Sequence, residues 1–213
     1  MTENIEVFEQ NSIRITLKNG KKIYIDPFHI AQNTGDADYV FLTHDHYDHY
    51  SVEDINKVVK NETMFVYPKK MEKTVGKDFP GKSSLAVLPG EEQKTEDFSF
   101  ETVPAYNIIK PFHPKSSGWV GYIFQIDGVS IYIAGDTDAT KEAAAVRCDV
   151  ALVPIGGTYT MDAAKAAELV NKILPKTAIP VHYGMAVGSP KDGEVFAAKV
   201  KEPVQVEYRI RFS

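Results

Sequence analysis

Thr43-His44-Asp45-His46-Tyr47-Asp48-His49 is the stretch on which the reading of this chain turns. The whole sequence has six histidines, and three of them fall here. Immediately upstream, the apolar run 39–42 reads as a short, fully buried strand. Immediately downstream, Ser51 opens a helix: Val52, Ile55, Val58 and Val59 recur at helical spacing, with Ser51 and Asp54 as a capping pair. The stretch therefore lies on a strand-to-helix turn. Imidazole nitrogen and carboxylate oxygen are ligands suited to zinc, iron or manganese. His44 and His46, two apart, face the same side of extended backbone and can grip one ion. Asp48 and His49 follow the turn and can grip a second. A polar surface turn with incidental histidines is the alternative, and this density straight after a buried strand weighs against it.

Working outward, residues 12–17 alternate, with Ile13, Ile15 and Leu17 on one face, and Asn19-Gly20 turns them into a returning strand at 22–25. Strands are expected at 64–67, 85–88 and 98–103, and the segment 72–82 reads as irregular. A loop follows at 104–118 with three prolines. Residues 120–134 form a hairpin about Asp127-Gly128, leading into Gly135-Asp136-Thr137. A short helix, a buried strand at 150–154 and a loop at 155–159 come next. Thr160 is expected to cap a helix through Leu174, with Ala163, Ala167, Val170, Ile173 and Leu174 inward. The strand 178–181 delivers His182, 191–201 reads as a helix, and 204–212 as a closing strand. Strands ending directly at His44, Asp136 and His182 offer a rigid way to converge distant residues. No linker separates units, so one domain over 1–213 is expected.

Composition bounds the function. With 213 residues, 43% of them hydrophobic, the chain can bury a full core without a structural metal, so a metal would be functional. The formal net charge is −5. No dense basic run appears, so nucleic acid is not an expected partner. Cys148 is the only cysteine, so no intrachain disulfide forms, and it reads as a small buried apolar residue. The N-terminus lacks the apolar core of a secretory signal and no apolar run reaches membrane-span length. The expected location is the cytoplasm. Oligomeric state, including a homo-oligomer, stays open.

The run Thr43-His44-x-His46-x-Asp48-His49 resembles the signature of the metallo-β-lactamase-fold hydrolases. The likeness extends over nearly the whole chain, through Ile25-Asp26-Pro27, Ala134-Gly135-Asp136-Thr137 and Pro180-Val181-His182. Together with the stretch 155–162, it is similar to small stand-alone metal-dependent hydrolases related to lactonase-like and N-acyl-phosphatidylethanolamine phospholipase-like members. The resemblance implies an α+β fold, a four-layer αβ/βα sandwich. Composition and periodicity alone indicate only a mixed α/β protein. It also implies roles. His44 and His46 would bind a first metal, Asp48, His49 and His182 a second, and Asp136 would bridge them. Relatives often place another first-site histidine just after a Pro-Ala pair; here Pro104-Ala105-Tyr106 is followed by Asn107, with His113 six residues later. Either His113 or Asn107 then completes the first position, His113 being the stronger ligand type. Asp26 would orient a ligand histidine, and Asp45 would do the same or face solvent. Tyr47, Tyr159, Tyr183 and Trp119 are candidates to line a pocket, or are packing residues.

The function so implied is hydrolysis of a small-molecule ester, lactone or phosphodiester by two divalent ions, Zn2+ first and Mn2+ or Fe2+ as alternatives. The ions would sit roughly 3.5–4 Å apart and activate a hydroxide. Asp48 would orient the nucleophile, and His182 with nearby tyrosines would meet the developing oxyanion. Two other readings are carried forward. A non-catalytic metal-binding or sensing module is kept by the Asn107 departure. A di-iron redox protein is disfavoured, since such relatives carry glutamate where His46 stands and an appended flavin domain.

Overall fold

In the computed structural model, which describes residues 2–212, the chain forms two mixed β-sheets. The first runs β1 (Ile5–Val7), β2 (Ile13–Thr16), β3 (Lys22–Ile25), β4 (Ala37–Phe41), β5 (Val59–Pro68) and β6 (Ser84–Val87) in spatial order. It is antiparallel up to β3 and parallel from β3 to β6. The second comprises β7 (Glu92–Lys94), β8 (Ser99–Pro104), β9 (Val120–Ile126), β10 (Val129–Ile133), β11 (Val150–Pro154), β12 (Thr177–Val181) and β13 (Gln205–Val206), again neighbours in chain order. It is antiparallel from β7 to β10 and parallel from there to β13.

Side-chain alternation sorts the first sheet into two faces. Ile23, Ile25, Tyr39, Phe41 and Val66 join the core shared with the second sheet. Tyr24, Val40, Leu42, Phe65 and Tyr67 point the other way, where α1 (Val52–Val58) and α2 (Glu72–Asp78) cover them through Ile55, Val58 and Val75. On the far side, α3 (Ala163–Ile173) buries Ala166, Ala167, Val170 and Ile173 against the second sheet, and α4 (Asp192–Lys199) packs beside it. The expected four-layer αβ/βα sandwich is the architecture. Phe41 stands at its centre, with the rings of Phe98, Phe100, Tyr122 and Phe124 at 4.9–6.0 Å, mostly edge-on.

Two hydrogen bonds stitch the sheets where β4 ends. The Tyr122 hydroxyl donates to the Leu42 carbonyl at 2.6 Å, and the Val120 amide to the Thr43 carbonyl at 3.2 Å. Gly135, with φ +63°, permits the close approach: a Cβ there would lie 3.2 Å from both Thr43 Cβ and Val120 O.

Several elements differ from the sequence reading. The segment 72–82 contains α2, which carries a glycine at 76 and few apolar residues; packing of Met71 and Val75 decides it over propensity. Asp162, not Thr160, caps α3, accepting from the Lys165 amide, and Leu174 leaves the helix in a left-handed conformation with its side chain exposed. β1 and β7 are too short or too polar to show a pattern, and the polar residues 60–63 hide the early part of β5. Only Gln205–Val206 of 204–212 is strand. Cys148 is half-buried against the core rather than fully enclosed.

Asp149 ties three strands at the edge opposite the histidines. Its carboxylate accepts from the Ser130 amide and hydroxyl, both at 2.9 Å, and pairs with Lys176 at 2.8 Å, while its carbonyl accepts from the amides of Lys176 and Thr177. Lys176 and the Ser130 bonds hold its carboxyl down to about 2, below the ordinary value of about 3.9. Asp149→Ala should cost about 1–2 kcal/mol at neutral pH, read as a lower urea midpoint. The depressed value sets the sign. The deficit should be full above about pH 4 and shrink as pH falls toward about 2.

Candidate metal centre

Strand direction builds the site. β3 and β4 are parallel, so Asp26 and Thr43-His44 leave the first sheet at the same edge. In the second sheet β8, β10, β11 and β12 share one direction. They deliver the 105–119 loop, Asp136, the 155–162 loop and His182 to one edge too. Face-to-face packing brings the two edges together.

Three groups of ligand-capable atoms result: His44, His46 and His113; His44, His49 and Asp136; and Asp48, His49 and His182. Within each, the atoms lie within 4.8 Å of one another. His44 Nε2 is 3.1 Å from His46 Nδ1. His182 Nε2 is 3.2 Å from both His49 Nε2 and Asp48 Oδ2. Asp136 lies between the groups. Its Oδ1 is 3.3 Å from the Nε2 atoms of His49 and His182, and its Oδ2 is 3.4 Å from His113 Nε2. Tetrahedral ligands held about 2.0–2.1 Å from one ion stand about 3.3 Å apart. Most separations here match that edge length. The chemistry of unpaired atoms also fits, because His113 Nε2 and Asp136 Oδ1 are buried with no hydrogen-bond partner among the described residues, a costly state that an ion would relieve.

Three of the rings are oriented from behind. Asp26 is fully buried, and its Oδ2 accepts from His49 Nδ1 at 2.7 Å, leaving His49 Nε2 for the centre. Asp26 also takes the Thr43 amide at 2.8 Å and hydroxyl at 2.6 Å, and the Asn11 amide at 2.8 Å. Thr43 Oγ1 lies 3.0 Å from His44 Nδ1. Asn107 Oδ1 stands 3.1 Å from His113 Nδ1, while Asn107 Nδ2 donates to the Tyr159 carbonyl at 2.8 Å. That pattern fixes the amide's orientation and leaves His113 Nε2 as the free nitrogen. Of the two residues considered for the first position, His113 thus faces His44 and His46, and Asn107 stands behind it.

The electrostatics favour cations. Burial pushes His44 down, and pushes His113 down to about 4, so both are neutral donors near pH 7. Burial opposes ionisation of Asp48, but the His182 bond and the neighbouring His49 hold its carboxyl at about 2. Asp136 is likewise held well below the usual range against burial by His182 and His49. His49 goes the other way. Burial lowers it, yet Asp136 and Asp26 on either side raise it well above its ordinary value. The field at this point favours positive charge, whether proton or divalent ion.

Gln10 and Asn11 belong to this centre and carry no signal in the sequence. They sit in the turn between β1 and β2. Gln10 is fully buried, its Nε2 donates to Asp48 Oδ2 at 3.1 Å, and its carbonyl accepts the His182 amide at 2.9 Å. Gln10, Asp26 and His182 all have left-handed φ, at 51°, 45° and 56°. Each costs about 1–2 kcal/mol and persists because surrounding bonds over-determine it. Asp45 faces solvent. Trp119 backs the first group, 4.8–5.3 Å from the rings of His44, His46 and His113. Tyr183 is a core residue against Phe212 rather than a pocket wall. A cavity of about 390 Å³ opens on the centre, with Gln10, His46, Tyr47, Asp48, Asp136 and Tyr159 among its lining. Larger grooves, such as that along Thr16, Lys18 and Asp127, lie away from the histidines. No helix among the described residues is long and apolar enough to cross a membrane.

The chain can be compared with known proteins at this point. Residues 4–182 match the model of the beta-lactamase superfamily domain. A UPF0173 metal-dependent hydrolase of Pyrococcus furiosus is 29% identical over 206 residues, 89% of each chain. Its counterpart in Thermoplasma acidophilum is 30% identical over 192 residues, 85% of this chain and 84% of the relative. Among solved structures, a protein of Parabacteroides distasonis assigned as a metal-dependent hydrolase superposes with a TM-score of 0.82 at 28% identity. That match covers 96% of this chain and 91% of the other.

Asp26→Ala would leave the buried Thr43 amide and His49 Nδ1 without their acceptor. It should destabilise the fold by about 3–5 kcal/mol, measurable by chemical denaturation of the metal-free protein.

Proposed function

This chain belongs to the beta-lactamase superfamily, and from that membership we propose a metal-dependent hydrolase, a single domain over 1–213, that works with two divalent ions at the histidine–aspartate cluster. One observation carries the reading: Asp136 presents one oxygen to His113 and the other to His49 and His182, the posture of a bridging ligand. His44, His46 and His113 would hold the first ion, and Asp48, His49 and His182 the second, with Asp136 shared. Zinc suits this nitrogen-rich set, and manganese or iron are the alternatives. When bound, the ions supply a water acidic enough to ionise near pH 7 and a Lewis acid for the scissile carbonyl or phosphoryl oxygen.

The protein's own groups do the rest. Asp26, Thr43 and Asn107 hold the outer nitrogens of His49, His44 and His113, so these three rings turn their Nε2 atoms inward. Gln10 holds Asp48 Oδ2, and Asp48 lines the cavity as an ionised carboxylate. Asp48 is therefore placed to accept a hydrogen bond from the attacking water and aim it. His182 is anchored through its amide to Gln10, which keeps its Nε2 beside Asp48. Tyr47 lines the same cavity. Its ring is largely exposed, and its phenol, protonated near pH 7 given the ordinary tyrosine value of about 10, can donate to a developing oxyanion. Small-molecule esters, lactones and phosphodiesters all meet these requirements.

Metal analysis with a hydrolysis assay tests the reading. The purified chain should bind two equivalents of zinc, lose activity to a chelator, and regain it on adding metal. His46→Ala and Asp136→Ala should each lower turnover by more than about 100-fold, beyond what loss of an outer partner costs. Full activity in either folded variant would sink the proposal. Gln10→Leu removes one donor at similar volume. It should weaken the second equivalent of zinc by about 10-fold in a competition titration and leave the first unchanged.

A further inference from the structure

The cavity beside the centre has a second wall that the ligand cluster does not use. Phe112 and Tyr159 meet edge-to-face there, centroids 4.8 Å apart at 83°, and Ala186 and Val187 complete it. Phe112 is 45% exposed and Tyr159 39%. Exposed rings lining a concave site, rather than scattered over a surface, indicate a binding surface.

The wall is held in place. Tyr159 is tied through its carbonyl to Asn107, which orients His113. Lys110 crosses between the same two loops, donating to the carbonyls of Gly157, at 2.7 Å, and Thr160. The Ile108 amide donates to Asp138 Oδ2 at 2.9 Å. The Lys110 ammonium, bonded to these carbonyls, also faces Asp138 at 3.7 Å. No lysine or arginine lines the cavity among the described residues, and its polar floor carries two carboxylates, Asp48 and Asp136.

We infer that the Phe112–Tyr159 wall is an acyl-binding subsite, and that the substrate is an uncharged carboxylic ester, open-chain or cyclic, with an apolar acyl part. The inference rests on the hydrolase reading above and narrows it. A substrate with a charged group on its acyl side would find no cation on this wall. An alkyl or aryl chain sheds water as it lies against a preformed apolar wall. The reaction balances simply. Water oxygen bonds to the carbonyl carbon, the carbon–oxygen bond to the alcohol breaks, the alcohol oxygen takes one of the water's protons, and the acid leaves as carboxylate with the other proton passing to solvent. A lactone gives the same change within one molecule, yielding a hydroxy acid.

The test uses the full chain loaded with two equivalents of zinc and four probes: p-nitrophenyl acetate, p-nitrophenyl hexanoate, δ-decalactone and bis(p-nitrophenyl) phosphate. Each kcat/KM is divided by the uncatalysed rate in the same buffer. The hexanoate should exceed the acetate by at least about 10-fold, since each buried methylene contributes several-fold. The decalactone against the hexanoate distinguishes a cyclic from an open-chain ester, and either one ahead of the others supports the inference. The phosphate should fall at least about 100-fold below the better of the two. Phe112→Lys, on an exposed side chain and therefore compatible with folding, should cut the hexanoate-to-acetate ratio by about 10-fold, and Tyr159→Ala should do likewise. Faster phosphate turnover, or a ratio that neither variant changes, overturns the acyl subsite while leaving the hydrolase intact. No turnover of any probe by the zinc-loaded chain overturns the hydrolase reading and this one with it.

Discussion

Asp26 is a fully buried carboxylate in a left-handed conformation, and both of its oxygens accept hydrogen bonds: Oδ1 from the Thr43 amide, Oδ2 from the Thr43 hydroxyl, the Asn11 amide and the His49 ring. An ion so deep in an apolar core is tolerated only when its neighbours compensate it fully. That requirement joins the ends of β3 and β4, fixes the turn before β2, and sets the tautomer of a central histidine at once. The histidine-rich turn has its shape because this carboxylate stands behind it.

The second sheet meets that turn under a steric constraint. The Tyr122 hydroxyl and the Val120 amide bond to the carbonyls ending β4. Gly135 lets the chain pass Thr43 closely enough to set Asp136 among the imidazoles. Residues more than 130 positions apart, His49 and His182, then stand with Nε2 atoms 3.2 Å apart. Parallel strands make this possible, since each ends at the same edge and adds one loop to the site.

A protein must also keep such a centre open to solvent on one side. Here the ligand side is buried and braced from behind at Asp26, Gln10 and Asn107, while the cavity side is polar below and aromatic above. The two are mechanically one object. Asn107 touches His113 with its oxygen and the Tyr159 backbone with its nitrogen, so the wall that would sort substrates stands on the residue that aims a histidine.

Much of this was legible in the chain. Thr43 to His49 after a buried apolar run, and strands ending at Asp136 and His182, marked six of the seven expected ligand positions, because ligand chemistry and strand alternation are local properties. The resemblance built on them reached the four-layer fold. The sequence left the choice between Asn107 and His113 open, because a proline-rich loop has no periodicity and its path depends on what it packs against. Gln10 and Asn11 were invisible for a related reason: a lone amide in a turn acquires meaning only from Asp48 and Asp26, and those contacts are tertiary. Tyr183 and Tyr159 looked alike as residues, and packing alone sent one into the core and the other to the cavity wall. The sequence by itself determined which atoms could ligate and at which strand ends they would appear. Only the folded chain decided which nitrogen of His49 faces inward and where His113 stands, because the first depends on Asp26 from the end of another strand and the second on how the proline-rich loop packs against the Tyr159 backbone.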